Sequence, residues 1–250
     1  LYVWKNLPDE SGAYPDIVYR LPMQPWDIAL KGNILALAGE RTVYIWKELP
    51  LNGNMPDVTI EGGIGGIKFK ELRGVAIDEN YFYLSDCRAG KIYIWEGLPD
   101  ENTNPSPKFI LSLENPMRLD SDGRYLAVAL NGQPYIKIYS VDNLSSNADP
   151  VATIGGPGRM NLPQHAIVKN GTLFVADTCN NRVLIWNSIE EAISGKWPPD
   201  AVLGKSSLED TMPAIGRSSL FFPGALCFDG SYLWVGEFKF SNRILRFSPS

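Results

Sequence analysis

The chain carries a single histidine, His165, and three cysteines, Cys87, Cys179 and Cys227, among 250 residues. A zinc centre draws three or four ligands from His, Cys and carboxylate side chains. One imidazole and three thiols without a paired Cys-x-x-Cys spacing do not make such a set. An acyl-transfer centre needs a nucleophile beside a base that a third group orients. Cys179 and Ser85 sit in or beside strand-end turns with no activating partner in view. The glycine-rich stretches Gly62–Gly66 and Gly155–Gly158 do not open a helix after a strand, the setting in which backbone amides cradle a phosphate. No catalytic residue, metal site or cofactor is expected. The remaining groups able to act on a ligand are Asp27, Arg73, Arg118 and His165, and only a repeat can bring them together.

That repeat is visible as six short β-rich runs that end on an aromatic ring: Val3-Trp4, Val43–Trp46, Ile92–Trp95, Ile136–Tyr139, Val183–Trp186 and Ile244–Phe247. The terminal rings are 42, 49, 44, 47 and 61 residues apart. A period of ~40–50 residues with strands inside each period is the mark of propeller blades. After the ring comes Leu-Pro (Leu7-Pro8, Leu49-Pro50, Leu98-Pro99), then Pro-Asp and a first apolar run, as in Pro56-Asp57-Val58 and Pro199-Asp200-Ala201. A second strand such as Gly74–Asp78 follows, then a turn such as Asp122-Gly123 or Asn170-Gly171, then a third strand such as Tyr81–Ser85 or Leu173–Ala176. Asn-Gly and Asp-Gly supply the positive φ of a tight hairpin. The aromatic run is read as the fourth strand, with its ring at the rim. Ser188–Ser194 reads as a short helix opened by a serine cap.

The predicted fold class is therefore all-β: one propeller domain over residues 1–250, belonging to a longer polypeptide, built of four-stranded antiparallel blades. Five units follow residue 4, and Leu1–Trp4 stands as a lone fourth strand. A six-bladed ring whose first blade draws its inner strands from upstream residues is the favoured count, and a five-bladed ring with an added edge strand is the alternative. Aligning the units gathers Trp26-Asp27, Arg73-Gly74, Met117-Arg118, Gln164-His165 and Gly224-Ala225 around one channel mouth. Arginine pairs suit carboxylates or phosphates. The competing reading pairs them with Asp27 and nearby carbonyls. Cys227 is read as a small core residue, and Cys87 and Cys179 as free thiols, with a disulfide between them as the other possibility.

The run Ala176-Asp177-Thr178-Cys179-Asn180-Asn181-Arg182-Val183-Leu184-Ile185-Trp186, followed by Pro199–Gly204, resembles the core of an NHL repeat. Weaker copies are Leu84–Arg88 with Lys91–Trp95, and Gly236-Glu237 with Asn242–Leu245. The Trp-x-x-Leu-Pro linker is similar to that of secreted or surface NHL proteins of bacteria and archaea. The resemblance implies that Asp177 with Arg182, Asp86 with Lys91 and Glu237 with Arg243 are ion pairs that pin turns. Their recurrence favours framework over an active site. Amidating lyases of this family carry several histidines, and lactonase propellers need several converging oxygens for calcium; Asp27 alone matches.

Charge narrows the partners. Lys and Arg number 23 against 28 Asp and Glu, a net charge of −5. Phosphate affinity is built mostly from Lys and Arg, so no nucleic-acid partner is expected. No apolar stretch reaches the ~20 residues of a membrane-spanning helix. Leu1 begins inside a strand-like run, with neither an initiator Met nor a leader before it, which reads as a processed or truncated product. The expectation is a non-catalytic scaffold, extracellular or at the cell surface, that binds a protein or glycan partner. An ion-dependent lyase or lactonase working at the channel mouth is the alternative.

Overall fold

The computed structural model describes residues 1–8 and 10–248. A two-stranded ribbon comes first, β1 (Tyr2–Val3) against β2 (Ile17–Val18). Blade 1 follows as β3 (Asp27–Lys31), β4 (Ile34–Gly39), β5 (Thr42–Trp46) and β6 (Val58–Glu61), paired in that order. A small hairpin, β7 (Gly63–Ile64) with β8 (Ile67–Lys68), leads into blade 2: β9 (Leu72–Ile77), β10 (Tyr81–Asp86), β11 (Lys91–Glu96) and β12 (Phe109–Ser112). Blade 3 is β13 (Pro116–Ser121), β14 (Tyr125–Leu130), β15 (Tyr135–Ser140) and β16 (Ala152–Gly155). Blade 4 is β17 (His165–Lys169), β18 (Thr172–Asp177), β19 (Arg182–Trp186) and β20 (Ala201–Leu203), with α1 (Ile189–Ile193) in its outer connection. Blade 5 has three strands among the described residues: β21 (Pro223–Phe228), β22 (Leu233–Glu237) and β23 (Ile244–Phe247).

The molecule is thus an all-β propeller of antiparallel blades. Among the described residues it has five blades, the alternative count, with the ribbon added beside blade 1. The strand phasing differs from the reading of the sequence by one step. The aromatic run is the third strand of each complete blade, and the run that follows it, opened by Pro-Asp in blades 1 and 4, pairs with it as the outermost fourth, as β6 does with β5. Trp46, Trp95 and Trp186 are accordingly buried rather than at the rim.

The linker chemistry explains this closure. Each indole N–H donates to a carbonyl of the loop that follows it: Trp46 to Asn54 at 2.9 Å, Trp95 to Pro105 at 2.9 Å, Trp186 to Lys196 at 3.1 Å. The Pro-Asp carboxylate then accepts the amide just past the ring, Asp57 from Lys47 at 2.7 Å and Asp200 from Asn187 at 2.9 Å. Two bonds therefore fold the fourth strand back onto the third. The ribbon repeats both, with Trp4 donating to Ala13 and Asp16 accepting from Lys5. In α1, Ser188 accepts from the Glu191 amide, the cap its sequence announces.

Apolar faces of adjacent blades interlock. Ala38, Val43 and Ile45 of blade 1 meet Val75, Phe82 and Leu84 of blade 2. Comparable cores join blades 2 and 3, 3 and 4, and 4 and 5. The ribbon side of blade 1 packs Leu35, Leu37 and Trp46 against Leu1 and Leu21. Between blade 5 and blade 1 no such core exists among the described residues. Cys227, expected inside, is exposed because its face of blade 5 has no neighbouring blade. The three thiols are free.

Candidate functional site

The innermost strands set the axial groups. Asp27 pairs with Ala38, Gly74 with Ser85, His165 with Ala176 and Ala225 with Gly236, so these residues lie at one level of the bore. Arg118 joins them from the irregular stretch of β13 just before the Leu119–Val128 pair. Each axial side chain reaches another blade. Asp27 Oδ2 accepts the Val75 amide at 3.0 Å, and His165 Nδ1 accepts the Leu226 amide at 3.0 Å. Arg118 spans the gap between the end blades, donating to the Trp26 carbonyl at 2.7 Å and to the Gly224 carbonyl at 2.5 Å. Its Nε lies 3.3 Å from Asp27 Oδ1 without a hydrogen bond.

The electrostatics follow from burial. Loss of water pushes the Asp27 carboxyl up to about 7, against the pull of Arg118 and of backbone amides. Burial, with the positive charges of Arg118 and Lys169, holds His165 well below the usual imidazole range. A neutral ring whose Nδ1 accepts an amide is the result. It is a staple between blades, and its accepting lone pair is already in use.

Arg73 goes elsewhere. Its guanidinium carbon lies 3.6 Å above the Trp26 ring, and its Nε donates to Glu71 at 2.8 Å. It lines a cavity of about 520 Å³ at the channel mouth, with Arg88, Lys239, Asn131 and Gln164. Of the four residues gathered by the repeat, the structure brings Asp27, Arg118 and His165 into the bore and leaves Arg73 at the rim of its opening.

The turn pairs divide. Asp177 meets Arg182 at 2.7 Å and also accepts the Asn161 amide, while Arg182 caps the Arg159 and Leu208 carbonyls. Burial raises the Asp177 carboxyl even so. Glu237 meets Arg243 at 2.7 Å and accepts the Phe221 amide. Burial works against that carboxylate, but Arg243, Ser241 and the amide outweigh it, and its pKa is lowered. Asp86 and Lys91 do not pair. Asp86 is filled by the amides of Lys70, Glu71 and Ala89, and Lys91 donates instead to Ser112 on the outermost strand.

Sequence reading missed further staples. Asp120 accepts the Val168 amide at 3.1 Å and Lys169 Nζ at 2.9 Å, joining blades 3 and 4. At the far end of the bore Asp78 accepts from Tyr83 and Ser121, joining blades 2 and 3. A carboxylate at the Asp120 position, where the other innermost strands place Ala29, Ala76, Ile167 and Cys227, was the available signal. Among the described residues no three His, Cys, Asp or Glu side chains converge as metal ligands.

These features define a β-propeller, and the solved structures it is similar to agree. A chain of the nidogen/laminin complex superposes with a TM-score of 0.62 at 14% identity, over 90% of this chain and 76% of that one. The WD40 β-propeller domain of Doa1 gives 0.62 at 14%, over 96% and 69%. A candidate 6-phosphogluconolactonase from Bacteroides uniformis gives 0.58 at 13%, over 89% and 66%. Likeness at this identity shows the fold alone. No protein-family model matches the sequence. No curated protein matches it either. No helix among the described residues is long and apolar enough to cross a membrane.

Proposed function

We propose that this propeller is a non-catalytic binding module of the NHL type, acting outside the cell or at its surface, which holds a protein or glycan partner on the face where the channel mouth opens. The observation that carries the reading is the use of the axial groups. Asp27, Arg118 and His165 are each committed to backbone groups of other blades, so the bore is framework. The mouth above it presents Arg73, Arg88 and Lys239 with the amides of Asn131 and Gln164, around a cavity deep enough for one side chain or sugar. Guanidinium and ammonium groups there suit a carboxylate on the partner. Turns of several blades frame the opening, which lets one rigid disc present many loops.

The enzyme alternative requires imidazole or carboxylate groups free to meet a substrate or ion. His165 spends its accepting nitrogen on the Leu226 amide, and Asp27, buried beside Arg118, holds the Val75 amide. A photocrosslinking residue at Asn131, on the mouth, against one at Glu79, in the hairpin at the opposite end, tests the proposal. One partner captured at Asn131 and lost in Arg88→Glu/Lys239→Glu is the expected result. Equal capture at both ends, or capture indifferent to those charges, overturns it.

A further inference from the structure

The junction between blade 5 and blade 1 differs from every other junction in the ring, and equivalent positions show how. Ile28 of β3 is 49% exposed, whereas its counterpart Val75 in β9 is 2% exposed, and Leu119, Ala166 and Leu226 are buried too. Leu30, two residues on, is 61% exposed. Across the junction Ile244 of β23 is 69% exposed, whereas Val43, Ile92, Ile136 and Val183, at the same level of the other third strands, are fully buried. Two inner blade faces built for packing thus stand open. Between them lies a groove of about 760 Å³ lined by Trp4, Ile28, Leu30, Trp234, Ile244 and Arg246.

The ribbon says what belongs there. Tyr2 pairs with Val18 and Val3 with Ile17, as Tyr44 pairs with Thr59 and Ile45 with Val58 in blade 1. Its indole-to-carbonyl and amide-to-carboxylate bonds are those that join the third and fourth strands of blades 1 and 4. The ribbon is therefore the outer half of a blade. The inner edge of β1, which in every complete blade pairs with a second strand, pairs with nothing among the described residues. An unpaired edge beside two apolar faces is a template for further strands.

We propose that this groove is the seat of an antiparallel β-hairpin, the inner two strands of a sixth blade, supplied by the same polypeptide from outside residues 1–250 and joined through its second strand to β1. Its chemistry is set by its surroundings. One face is apolar against Ile28 and Leu30, the other apolar against Trp234 and Ile244, and one edge is hydrogen-bonded to β1. The proposal is independent of any ligand at the channel mouth.

The test grafts this chain's own inner hairpin, Leu72–Lys91, directly ahead of Leu1. Ile92 is the counterpart of Leu1, so the connecting turn keeps its length. The graft is expected to slow amide exchange of Tyr2–Trp4 at least ~10-fold, to abolish binding of a hydrophobic dye, and to raise Tm by roughly 5 °C. A graft with Val75, Ile77, Phe82 and Leu84 replaced by Ser should do none of these. The residues encoded ahead of Leu1, restored in place of the graft, should act as the unmodified graft does. The proposal fails if the graft stays a free tail with exchange and Tm unchanged, or if the reading frame holds no pair of strands there. It also fails if residues 1–250 dimerise in sedimentation and Ile244→Asp abolishes the dimer, because a second copy then fills the groove.

Discussion

Blade 4 and blade 5 are built from nearly the same instructions and end in different states. Both place an acid at the end of the second strand and an arginine at the start of the third, Asp177 with Arg182 and Glu237 with Arg243. In blade 4 the pair is sealed, and apolar faces pack on both sides against blades 3 and 5. In blade 5 one face packs on blade 4, and the other leaves Cys227 and Ile244 in water. What a repeat sequence encodes is a face, and whether that face becomes core depends on a neighbour. The same motif is therefore framework in one place and surface in another, and its energetic weight should differ accordingly.

The largest test of that difference is removal of the acid. Asp177→Ala leaves the Arg182 guanidinium buried with only carbonyl partners, and loss of one partner of a buried pair costs about 3–5 kcal/mol. Glu237→Ala strands a partly exposed arginine that water can reach, and the expected cost is ~1–2 kcal/mol. Urea unfolding of both variants measures the gap. Equal losses would mean that the open face of blade 5 is closed in solution.

Local chemistry was legible in the sequence; partnership was not. The period, the hairpin turns, the Ser188 cap and the axial grouping of Asp27, Arg118 and His165 follow from residues near one another or from the repeat itself. The phasing failed because Pro56-Asp57-Val58 reads equally well as the start of one unit or the end of another. The indole of Trp46 and the carboxylate of Asp57 decide it, through bonds to Asn54 and Lys47 across a loop. Lys91 was matched to Asp86 by analogy with Arg182. Three amides had already filled that carboxylate, which a side-chain motif cannot reveal. Alignment put Asp27, Arg73, Arg118 and His165 together at the channel mouth. The Trp26 ring and Glu71 hold Arg73 there. The other three reach backbone groups across the bore, a commitment that side-chain types do not announce.

The axis is the region where the open and sealed parts of the ring are held alike, and pH exposes it. Burial raises the Asp27 carboxyl from 3.8 to about 7, so the folded chain binds that proton more tightly than the unfolded chain does. The resulting stability is fully present below about pH 4 and is lost as pH rises through about 7. His165 has the opposite sign: its lowered pKa makes stability rise toward about pH 6.5, the unfolded imidazole value. Asp27→Asn keeps an acceptor for the Val75 amide and removes only the first effect. The stability of the parent relative to this variant should fall by up to about 4 kcal/mol between pH 4 and 8. A difference independent of pH would mean that Asp27 stays ionised against Arg118.

The smallest effect is the sharpest comparison, because it truncates equivalent positions of two blades to alanine. Val183 and Ile244 sit at one level of the third strand, each beside the residue before the turn acid, Ala176 and Gly236. Val183→Ala empties space in a closed core and should cost about 2 kcal/mol. Ile244→Ala removes atoms already in water and should stay within ~0.5 kcal/mol. If a hairpin fills the groove between blades 5 and 1, the inequality must vanish in the chain that carries it, since Ile244 then lies between two packed sheets as Val183 does. Chemical denaturation of each substitution against its parent, with and without the added hairpin, separates the two situations. A cost at Ile244 that appears only with the hairpin identifies the open face as an incomplete core. A cost that never appears identifies it as surface.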